Sequence, residues 1–171
     1  MKNSYTDTAI KSIIKSAIVL IDTREQENTH ITDWLDKKKI PYKSRKLDYG
    51  DYTLLIPQNY DYGIMHDKII EYSVERKANL EEISNNIANG RTTFENELIR
   101  GQAKMTILIE NGGWDKIITH SYRTEYNENA FIASLMTFYH RYDIPITFTK
   151  KQHTAQIIYN ILKYKLREEL K

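Results

Sequence analysis

Three consecutive charged residues, Glu75, Arg76 and Lys77, follow a run of β-branched and aromatic residues, Lys68–Val74, that is typical of a β-strand. In an extended strand, residues two positions apart point to the same face, so Glu75 and Lys77 would project together while Arg76 points away. A carboxylate can hold a hard cation through oxygen, and an ammonium beside it can stabilise the negative charge that grows on a phosphate. The spacing therefore suits metal-dependent phosphodiester hydrolysis.

Two more acids stand at the ends of predicted strands. Asp22 follows the apolar run Ala17–Ile21, and Asp51 begins the run Asp51–Ile56. If these carboxylates converge with Glu75, a bound Mg²⁺ would neutralise phosphate charge and activate water. An aspartate followed by Glu-x-Lys also occurs by chance in many proteins, and surface strands often end in charges, so the spacing alone leaves both interpretations open.

The bulk composition is that of an ordinary globular domain. The chain has 171 residues, of which 40% are hydrophobic and 28% charged, enough for one domain with a real core. The net charge of +2 is too mild to indicate or to exclude nucleic-acid binding. The absence of cysteine excludes a disulfide scaffold, a cysteine zinc site and a thiol nucleophile. The only apolar run near the N-terminus, Ala17–Ile21, is too short for a signal or a membrane span, so we expect a cytoplasmic protein.

Helical and strand patterns alternate along the chain, which predicts an α/β domain with a central mixed β-sheet flanked by helices. Strands are predicted at Ala17–Ile21, Tyr42–Leu47, Asp51–Ile56, Lys68–Val74, Met105–Glu110 and Ile144–Thr149. Helices are predicted around Ile10–Ala17 and at His30–Lys39, Asn79–Asn89, Arg91–Ala103, Asn129–Tyr142 and His153–Leu170. The strands between residues 42 and 75 are predicted to form an antiparallel meander. Asn79 and Glu82 have the spacing of a capping box.

Several short motifs recur in a fixed order around these acids. The first strand is followed by Asp22-Thr23-Arg24-Glu25, and Gly50-Asp51 precedes the next candidate acid. Glu75-Arg76-Lys77 comes next, and Glu81 stands four positions beyond the lysine. Further along, Asn89-Gly90-Arg91 opens a helix and Thr106–Glu110 is an apolar strand that ends in an acid.

This combination resembles the nuclease domain of the XPF family, structure-specific endonucleases with a restriction-endonuclease-like core. The resemblance spans roughly residues 17–168 and implies a single nuclease domain over residues 1–171, in which residues 1–16 form a helical N-terminal extension. The helix-hairpin-helix module that usually follows this domain is missing from the sequence, and no helicase motif is present. The family usually has Asp where this chain has Glu81, which changes the length of that side chain.

The resemblance also implies roles for individual residues. Asp22, Asp51, Glu75 and Lys77 are the implied catalytic residues. Asp51 and Glu75 are the implied metal ligands, with Asp22 as a further ligand or a neighbour of the metal. Lys77 would be the catalytic ammonium.

A second group would support the site, and a third would contact DNA. Arg24, Glu25, Arg76 and Glu81 are the supporting candidates; Arg76 would brace the site by pairing with an acid on the opposite face of the sheet. The candidates for DNA binding are Arg91, Lys43, Arg45 and Lys46. Each of these cations has an alternative interpretation as an ordinary solvated side chain.

The leading hypothesis is a Mg²⁺- or Mn²⁺-dependent DNA endonuclease acting on branched, flapped or junction DNA, in repair or recombination. The alternatives are an inactive nuclease-fold module for DNA binding or protein interaction, and a small regulatory protein whose motif match is accidental. We also expect a homodimer built at least partly on residues 129–168, because the final helix carries a long apolar stripe. A compact nuclease in a chain rich in Ile, Asn, Lys and Tyr is typical of a phage or mobile element of an AT-rich bacterium.

Overall fold

The computed structural model describes residues 5–171 and has one mixed seven-stranded sheet with helices on both faces. The mixed sheet between helices is as the sequence predicts, with one strand more than the six predicted. The strands are β1 (Ile18–Ile21), β2 (Tyr42–Ser44), β3 (Tyr52–Ile56), β4 (Lys68–Ile69), β5 (Ser73–Lys77), β6 (Met105–Glu110) and β7 (Ile146–Thr149). The helices are α1 (Asp7–Ser16), α2 (Thr29–Lys38), α3 (Leu80–Asn89), α4 (Arg91–Arg100), α5 (Trp114–Ile118), α6 (Glu128–Tyr142) and α7 (Thr154–Leu170). Within residues 5–171, no helix is long and apolar enough to cross a membrane.

The order of the strands explains why the candidate acids meet. The sheet runs β2-β1-β3-β5-β6-β7, with β4 beside β3. Strand β3 is antiparallel to both β1 and β5, and β5, β6 and β7 are mutually parallel. The carboxyl ends of β1, β5 and β6 therefore share one edge of the sheet with the amino end of β3. Asp22, Asp51 and the Glu75–Lys77 segment all lie at that edge.

Two helical layers cover the sheet. Helices α1, α2 and α7 pack on one face, here called the first face, and α3 to α6 pack on the second face. Because side chains alternate along a strand, Val74 of β5 lies in the core of the first face. Glu75 and Lys77 project to the second face, where the Lys77 ammonium lies 4.9 Å from the centre of the Phe94 ring.

The apolar stripe of α7 is part of the core of its own chain. Ile158, Leu162 and Leu166 are all buried, and they pack with α1, α2 and the sheet. Such a stripe is what a helix needs in order to cover a sheet face. Most of the apolar stripe on which the dimer prediction rested is therefore already buried within the same chain.

Two strand predictions were wrong in detail. The predicted strand Lys68–Val74 is two strands, β4 and β5, and β5 continues through Lys77, so the three charges lie within the strand. The predicted meander is wrong for β2, which pairs in parallel with β1 and does not pair with β3. The chain after β2 stays at the end of β1 because Arg45 N–H donates to the Ile21 carbonyl and Leu47 N–H donates to Asp22 Oδ2.

The helices also differ from their predicted bounds, and α1 begins at Asp7, three residues before the predicted start. Helix α4 ends at Arg100, three residues before the predicted end. The Gly101 N–H donates to the Glu97 and Ile99 carbonyls and so completes the last turn. The short helix α5 was not predicted from the sequence. Five residues are too few to show the periodicity that identifies an amphipathic helix.

Gly50 sets the backbone that delivers Asp51 to the edge of the sheet. Its φ of +69° lies in the left-handed region, and a Cβ added there would lie 2.7 Å from Ser73 Cβ and closer still to Ser73 Oγ. Gly63 has the same φ of +69°, but nothing lies within 4 Å of the position of its Cβ. A substitution at Gly63 therefore introduces backbone strain alone, whereas a substitution at Gly50 introduces strain and steric overlap together.

We predict that Gly50→Ala lowers the free energy of unfolding by more than about 2 kcal/mol, because strain and overlap with Ser73 add together. The matched control, Gly63→Ala, carries the strain alone and should lose only about 1 kcal/mol. Urea unfolding of both variants measures the difference. Equal losses would contradict the close approach of Gly50 to Ser73.

Candidate active site

Asp51 is held where β3 and β5 separate. Its backbone N–H donates to the Val74 carbonyl at 2.8 Å, and its carboxylate Oδ2 accepts the Arg76 N–H at 2.7 Å. The Asp51 carboxylate therefore accepts a backbone N–H of β5 in place of a strand carbonyl, just beyond the last paired residues of β3 and β5. This fixes its carboxylate beside Glu75, whose charge is a main cause of the raised pKa of Asp51 after burial itself.

Lys77 is a buried ammonium held by acids and by an aromatic ring. Its Nζ donates to Glu75 Oε1 at 2.7 Å and lies 3.7 Å from Glu82 Oε1. Burial lowers the pKa of Lys77 and the Glu75 carboxylate raises it, with a net rise to about 12. The side chain therefore carries a positive charge at neutral pH and acts as a fixed cation and hydrogen-bond donor.

One oxygen of Glu75 has no partner. Glu75 is only 3% exposed, and its Oε2 is buried without a hydrogen bond to any of residues 5–171. Burial raises the pKa of Glu75 to about 7 although Lys77 lowers it, and burial raises that of Asp51 well above its usual range. The buried Glu75 and the half-buried Asp51 beside it share a single ammonium, so the site lacks positive charge.

A hard divalent cation fits this pair of carboxylates. The orphaned Glu75 Oε2 is an oxygen ligand of the kind such ions prefer, and the cation would supply the missing charge. Within residues 5–171, no three histidine or acidic side chains form a ready ligand set. Asp51 and Glu75 would then be the protein side-chain ligands, which agrees with the tendency of Mg²⁺ to keep several waters.

Both carboxylate oxygens of Asp22 already accept hydrogen bonds from the protein. Its Oδ1 accepts from the N–H and the Nε of Arg24, at 2.8 and 2.7 Å, and its Oδ2 accepts the Leu47 N–H at 2.6 Å. Burial raises the pKa of Asp22, but these hydrogen bonds lower it more, so the net shift is downward. In this arrangement Asp22 ties the residues after β2 to the end of β1, and its predicted metal role stays a prediction.

Arg76 faces the other side of the sheet and anchors β5 there. Its guanidinium forms a two-point pair with Glu110, with distances of 2.8 and 3.1 Å, and a third bond of 2.7 Å to Glu25 Oε1. His30 Nε2 lies 2.7 Å from Glu110 Oε1. This network holds the strand from behind while Glu75 and Lys77 face forward.

Three residues near the site were not assigned roles from the sequence. Glu110 could have been found as the acid that ends β6, the strand next to β5, whereas nothing local marks His30. Glu82 lies near Lys77, while the predicted supporting residue Glu81 accepts the Arg123 N–H at 3.1 Å. The first-turn spacing did not distinguish these two glutamates.

The capping pattern explains how Glu82 is held. Asn79 Oδ1 accepts the Glu82 N–H at 2.8 Å, as the sequence predicts for the start of α3. Glu82 Oε2 accepts the Ala78 N–H at 2.7 Å, one residue before the cap. The helix start therefore positions an acid next to the buried lysine.

The predicted DNA-binding cations fall into two groups. Arg91 begins α4 and is held by Glu95 Oε1 at 2.8 Å and Ser134 Oγ at 3.3 Å. Lys43, Arg45 and Lys46 are exposed on β2 and the residues after it, and none of them pairs with an acid within residues 5–171. The second group lies beside the end of β1 and is open to a polyanion.

The comparisons with known proteins concern the family and the fold of the chain. The signature described as "ERCC4 domain" matches residues 21–161. Two solved structures are similar: XPF from Aeropyrum pernix, with a TM-score of 0.61 and 18% identity over 86% of this chain and 61% of that one; and the same protein in complex with DNA, with a TM-score of 0.60 and 20% identity over 88% and 66%. The chain thus spans less than two thirds of either structure, and the likeness concerns the fold. No curated protein matches the chain.

The raised carboxylate pKa values have a consequence for stability. A folded protein that binds protons more tightly than the unfolded chain loses stability as pH rises between the two pKa values. For Glu75 this window runs from 4.5 to about 7. Deprotonation of these two carboxyl groups should therefore lower the stability of the metal-free protein at neutral pH.

We predict that Asp51→Asn raises the Tm of the protein in EDTA at about pH 8, because a neutral amide needs no counter-charge and can still accept the Arg76 N–H. The gain should be about 2–4 °C for each kcal/mol of relieved repulsion and should shrink towards about pH 4, where the wild-type carboxyl is itself protonated. Mn²⁺ should raise the Tm of the wild type more than that of Asp51→Asn. The exposed Asp33→Asn serves as the control, and an identical Mn²⁺ effect in Asp51→Asn would contradict Asp51 as a ligand.

Proposed function

The chain belongs to the ERCC4-domain family, that of the XPF nucleases, and on this premise we propose that it is a Mg²⁺- or Mn²⁺-dependent DNA endonuclease. The observation that carries the proposal is the buried Glu75 Oε2, which lacks a partner among residues 5–171 although Lys77 and Asp51 lie beside the same carboxylate. A purely structural ion pair would gain from satisfying both oxygens, because an orphaned buried acceptor costs about 1–3 kcal/mol. In a site that binds a cation and a phosphate, the free oxygen would serve as a ligand of the cation.

The residues divide the work of phosphodiester hydrolysis. Asp51 and Glu75 would hold the cation, which when bound neutralises phosphate charge and lowers the pKa of a water ligand. Lys77 remains protonated because its pKa is raised to about 12, so it donates hydrogen bonds to the phosphate and does not act as a base. Its position is fixed before the substrate arrives, which is the condition for electrostatic stabilisation of the transition state.

DNA is the proposed substrate, in branched, flapped or junction form. The XPF structure solved with DNA supports DNA as the partner of this fold, and the family resemblance suggests the branched form. The exposed cations Lys43, Arg45 and Lys46 border the edge of the sheet where Asp22 and Asp51 lie. Phosphate contacts from such residues orient a nucleic acid without reading its sequence.

We predict that Lys77→Met lowers turnover by about 100-fold or more, the scale of losing one preorganised donor, while DNA affinity is nearly kept. Methionine preserves the length of the buried side chain and its contact with Phe94. The assay is cleavage of labelled flaps, forks, four-way junctions and single strands with Mg²⁺, Mn²⁺ or EDTA.

The control is Lys104→Met, which removes a lysine that also pairs with a glutamate, Glu71, at 2.7 Å, but on the exposed surface. This variant should cleave as the wild type does. A Lys77→Met protein that binds DNA poorly but turns over normally at saturation would make Lys77 only a phosphate anchor. Binding of DNA in EDTA without cleavage in either metal would instead support the inactive nuclease-fold module.

A homodimer is part of the proposed function. Of the aromatic residues at the end of α6, Phe138 and Tyr142 are buried in the core and Tyr139 is 45% exposed. Met136 on the same helix is 41% exposed. The outer surface of α6 is therefore one apolar part of residues 129–168 that is exposed and available to a second copy. A two-fold dimer would bring two active sites to one DNA and raise avidity.

We predict that light scattering at micromolar concentration gives a mass near twice the 20.3 kDa of one chain. Replacing both Met136 and Tyr139 by lysine should reduce the mass to that of one chain, because two charges would face their symmetry copies. Tyr164→Lys, at a tyrosine of α7 that is 52% exposed, should leave the dimer intact. A wild-type mass of one chain that does not change on adding DNA would refute the dimer.

A further inference from the structure

A groove lies between α1, α2 and α7, on the first face of the sheet. It consists of two adjoining cavities of about 580 and 500 Å³ that share Lys15 and Tyr159 in their walls. One cavity opens beside Trp34 of α2, and the other opens beside Tyr164 of α7. We call the combined surface the cationic groove.

The cationic groove is separate from the candidate active site. Its floor includes Ala17, which precedes β1, whereas Asp22 follows β1 at the opposite edge of the sheet. The helices that line it cover the first face, while Glu75 and Lys77 project to the second. A ligand in this groove therefore does not contact the carboxylates that would hold the metal.

Positive charge is concentrated in this groove. Its walls carry six cations and one acid, Asp7, a net charge of +5 against +2 for the whole chain. The cations are Lys11, Lys15, Lys38, Lys39, Lys163 and Arg167. None of them forms an ion pair with an acid of residues 5–171, although the same structure contains ion pairs on neighbouring surface turns such as Lys165–Glu169. Like charges placed together without partners favour a polyanionic ligand.

Aromatic rings alternate with these cations. Trp34 and Tyr159 are half-buried, with ring centres 6.1 Å apart and planes inclined by 51°. The Lys38 ammonium lies 6.0 Å from the Trp34 ring, and the Lys163 ammonium lies 6.0 Å from the Tyr159 ring and 5.5 Å from the Tyr164 ring. Each ring thus has an ammonium close to it, and Tyr164 is 52% exposed.

We propose that the cationic groove binds single-stranded DNA, with unpaired bases against Trp34, Tyr159 and Tyr164 and with phosphates at the lysines. Rings that accept bases, combined with cations that follow a backbone, are the two components of single-strand binding. The inference rests on the proposed function in that the strand is an unpaired arm of the same DNA substrate. It adds a second contact that holds this arm at the opposite edge of the sheet from the site of cleavage.

Other occupants fit the groove less well. The bases of a duplex are stacked inside it and cannot reach half-buried rings in a concave surface. An acidic peptide would satisfy the lysines but would leave the three aromatic rings without a matching group. A second copy of this chain would bring its own six cations against these and would be repelled.

The test uses the intrinsic fluorescence of Trp34. The chain has two tryptophans, and the other, Trp114, packs edge-on against Phe148 in the opposite helical layer with ring centres 5.2 Å apart. In a Trp114→Phe background, a thymidine oligonucleotide titrated in EDTA should quench Trp34 fluorescence. A duplex of equal length should quench it much less.

Lys38→Glu and Lys37→Glu form a matched pair for this titration. Both residues are exposed in the last turn of α2 and both changes reverse the charge from positive to negative, but only Lys38 lines the groove. Lys38→Glu should weaken binding of the oligonucleotide by about 5-fold or more and should reduce the salt dependence by about 0.7 per lost phosphate contact. Lys37→Glu should change the affinity by less than about 2-fold, as expected for a charge outside the contact.

Four results would overturn the groove as a single-strand site: no quenching, equal quenching by duplex, equal loss in Lys37→Glu and Lys38→Glu, or quenching by polyglutamate alone, which would assign the groove to an acidic protein. Cleavage assays on the same Trp114→Phe protein separate this inference from the proposed function. Cleavage in Mg²⁺ without quenching in EDTA removes the groove and keeps the endonuclease. Quenching in EDTA without cleavage in Mg²⁺ or Mn²⁺ supports the groove and contradicts the endonuclease.

Discussion

Three consecutive charged side chains lie buried in the central strand β5, and each is held by an oppositely charged group. Lys77 pairs with Glu75 on the second face of the sheet, and Arg76 pairs with Glu110 on the first face. Removing one partner from such a pair leaves an uncompensated buried charge, which typically costs about 3–5 kcal/mol. The helices on both faces must therefore keep their positions for the strand to be stable.

The two faces of β5 have different tasks. On the first face all three guanidinium nitrogens of Arg76 donate hydrogen bonds, to Glu110 and Glu25, and the strand is anchored. On the second face the set is incomplete, because Glu75 Oε2 has no partner in the part of the chain that the structure describes and burial raises the pKa of Glu75 to about 7. A rigid strand that is satisfied on one side and short of positive charge on the other is suited to receive a cation. The cationic groove lies among the helices that cover the first face, so it is spatially separate from the candidate metal site on the second face.

Several features of this protein are determined by the sequence alone. The alternation of apolar patterns predicts the α/β class, and the bounds of β6 agree with the predicted strand Met105–Glu110. The start of α3 is predicted by Asn79, whose side chain makes the capping hydrogen bond. The divergence of Glu75 and Arg76 to opposite faces follows from the period of two residues in a strand. All of these depend on residues within a few positions of one another, so the local sequence contains the information.

Other features were decided only by the tertiary structure. The parallel pairing of β2 with β1, the satisfaction of Asp22 by the Leu47 N–H and the contact of His30 with Glu110 join residues far apart in the sequence. The missing partner of Glu75 Oε2 is likewise a property of everything packed around it. Sequence spacing identifies which side chains carry charge. Whether a charge is satisfied, buried or left available depends on long-range packing, because burial and hydrogen bonding are set by neighbours that only the folded chain brings together.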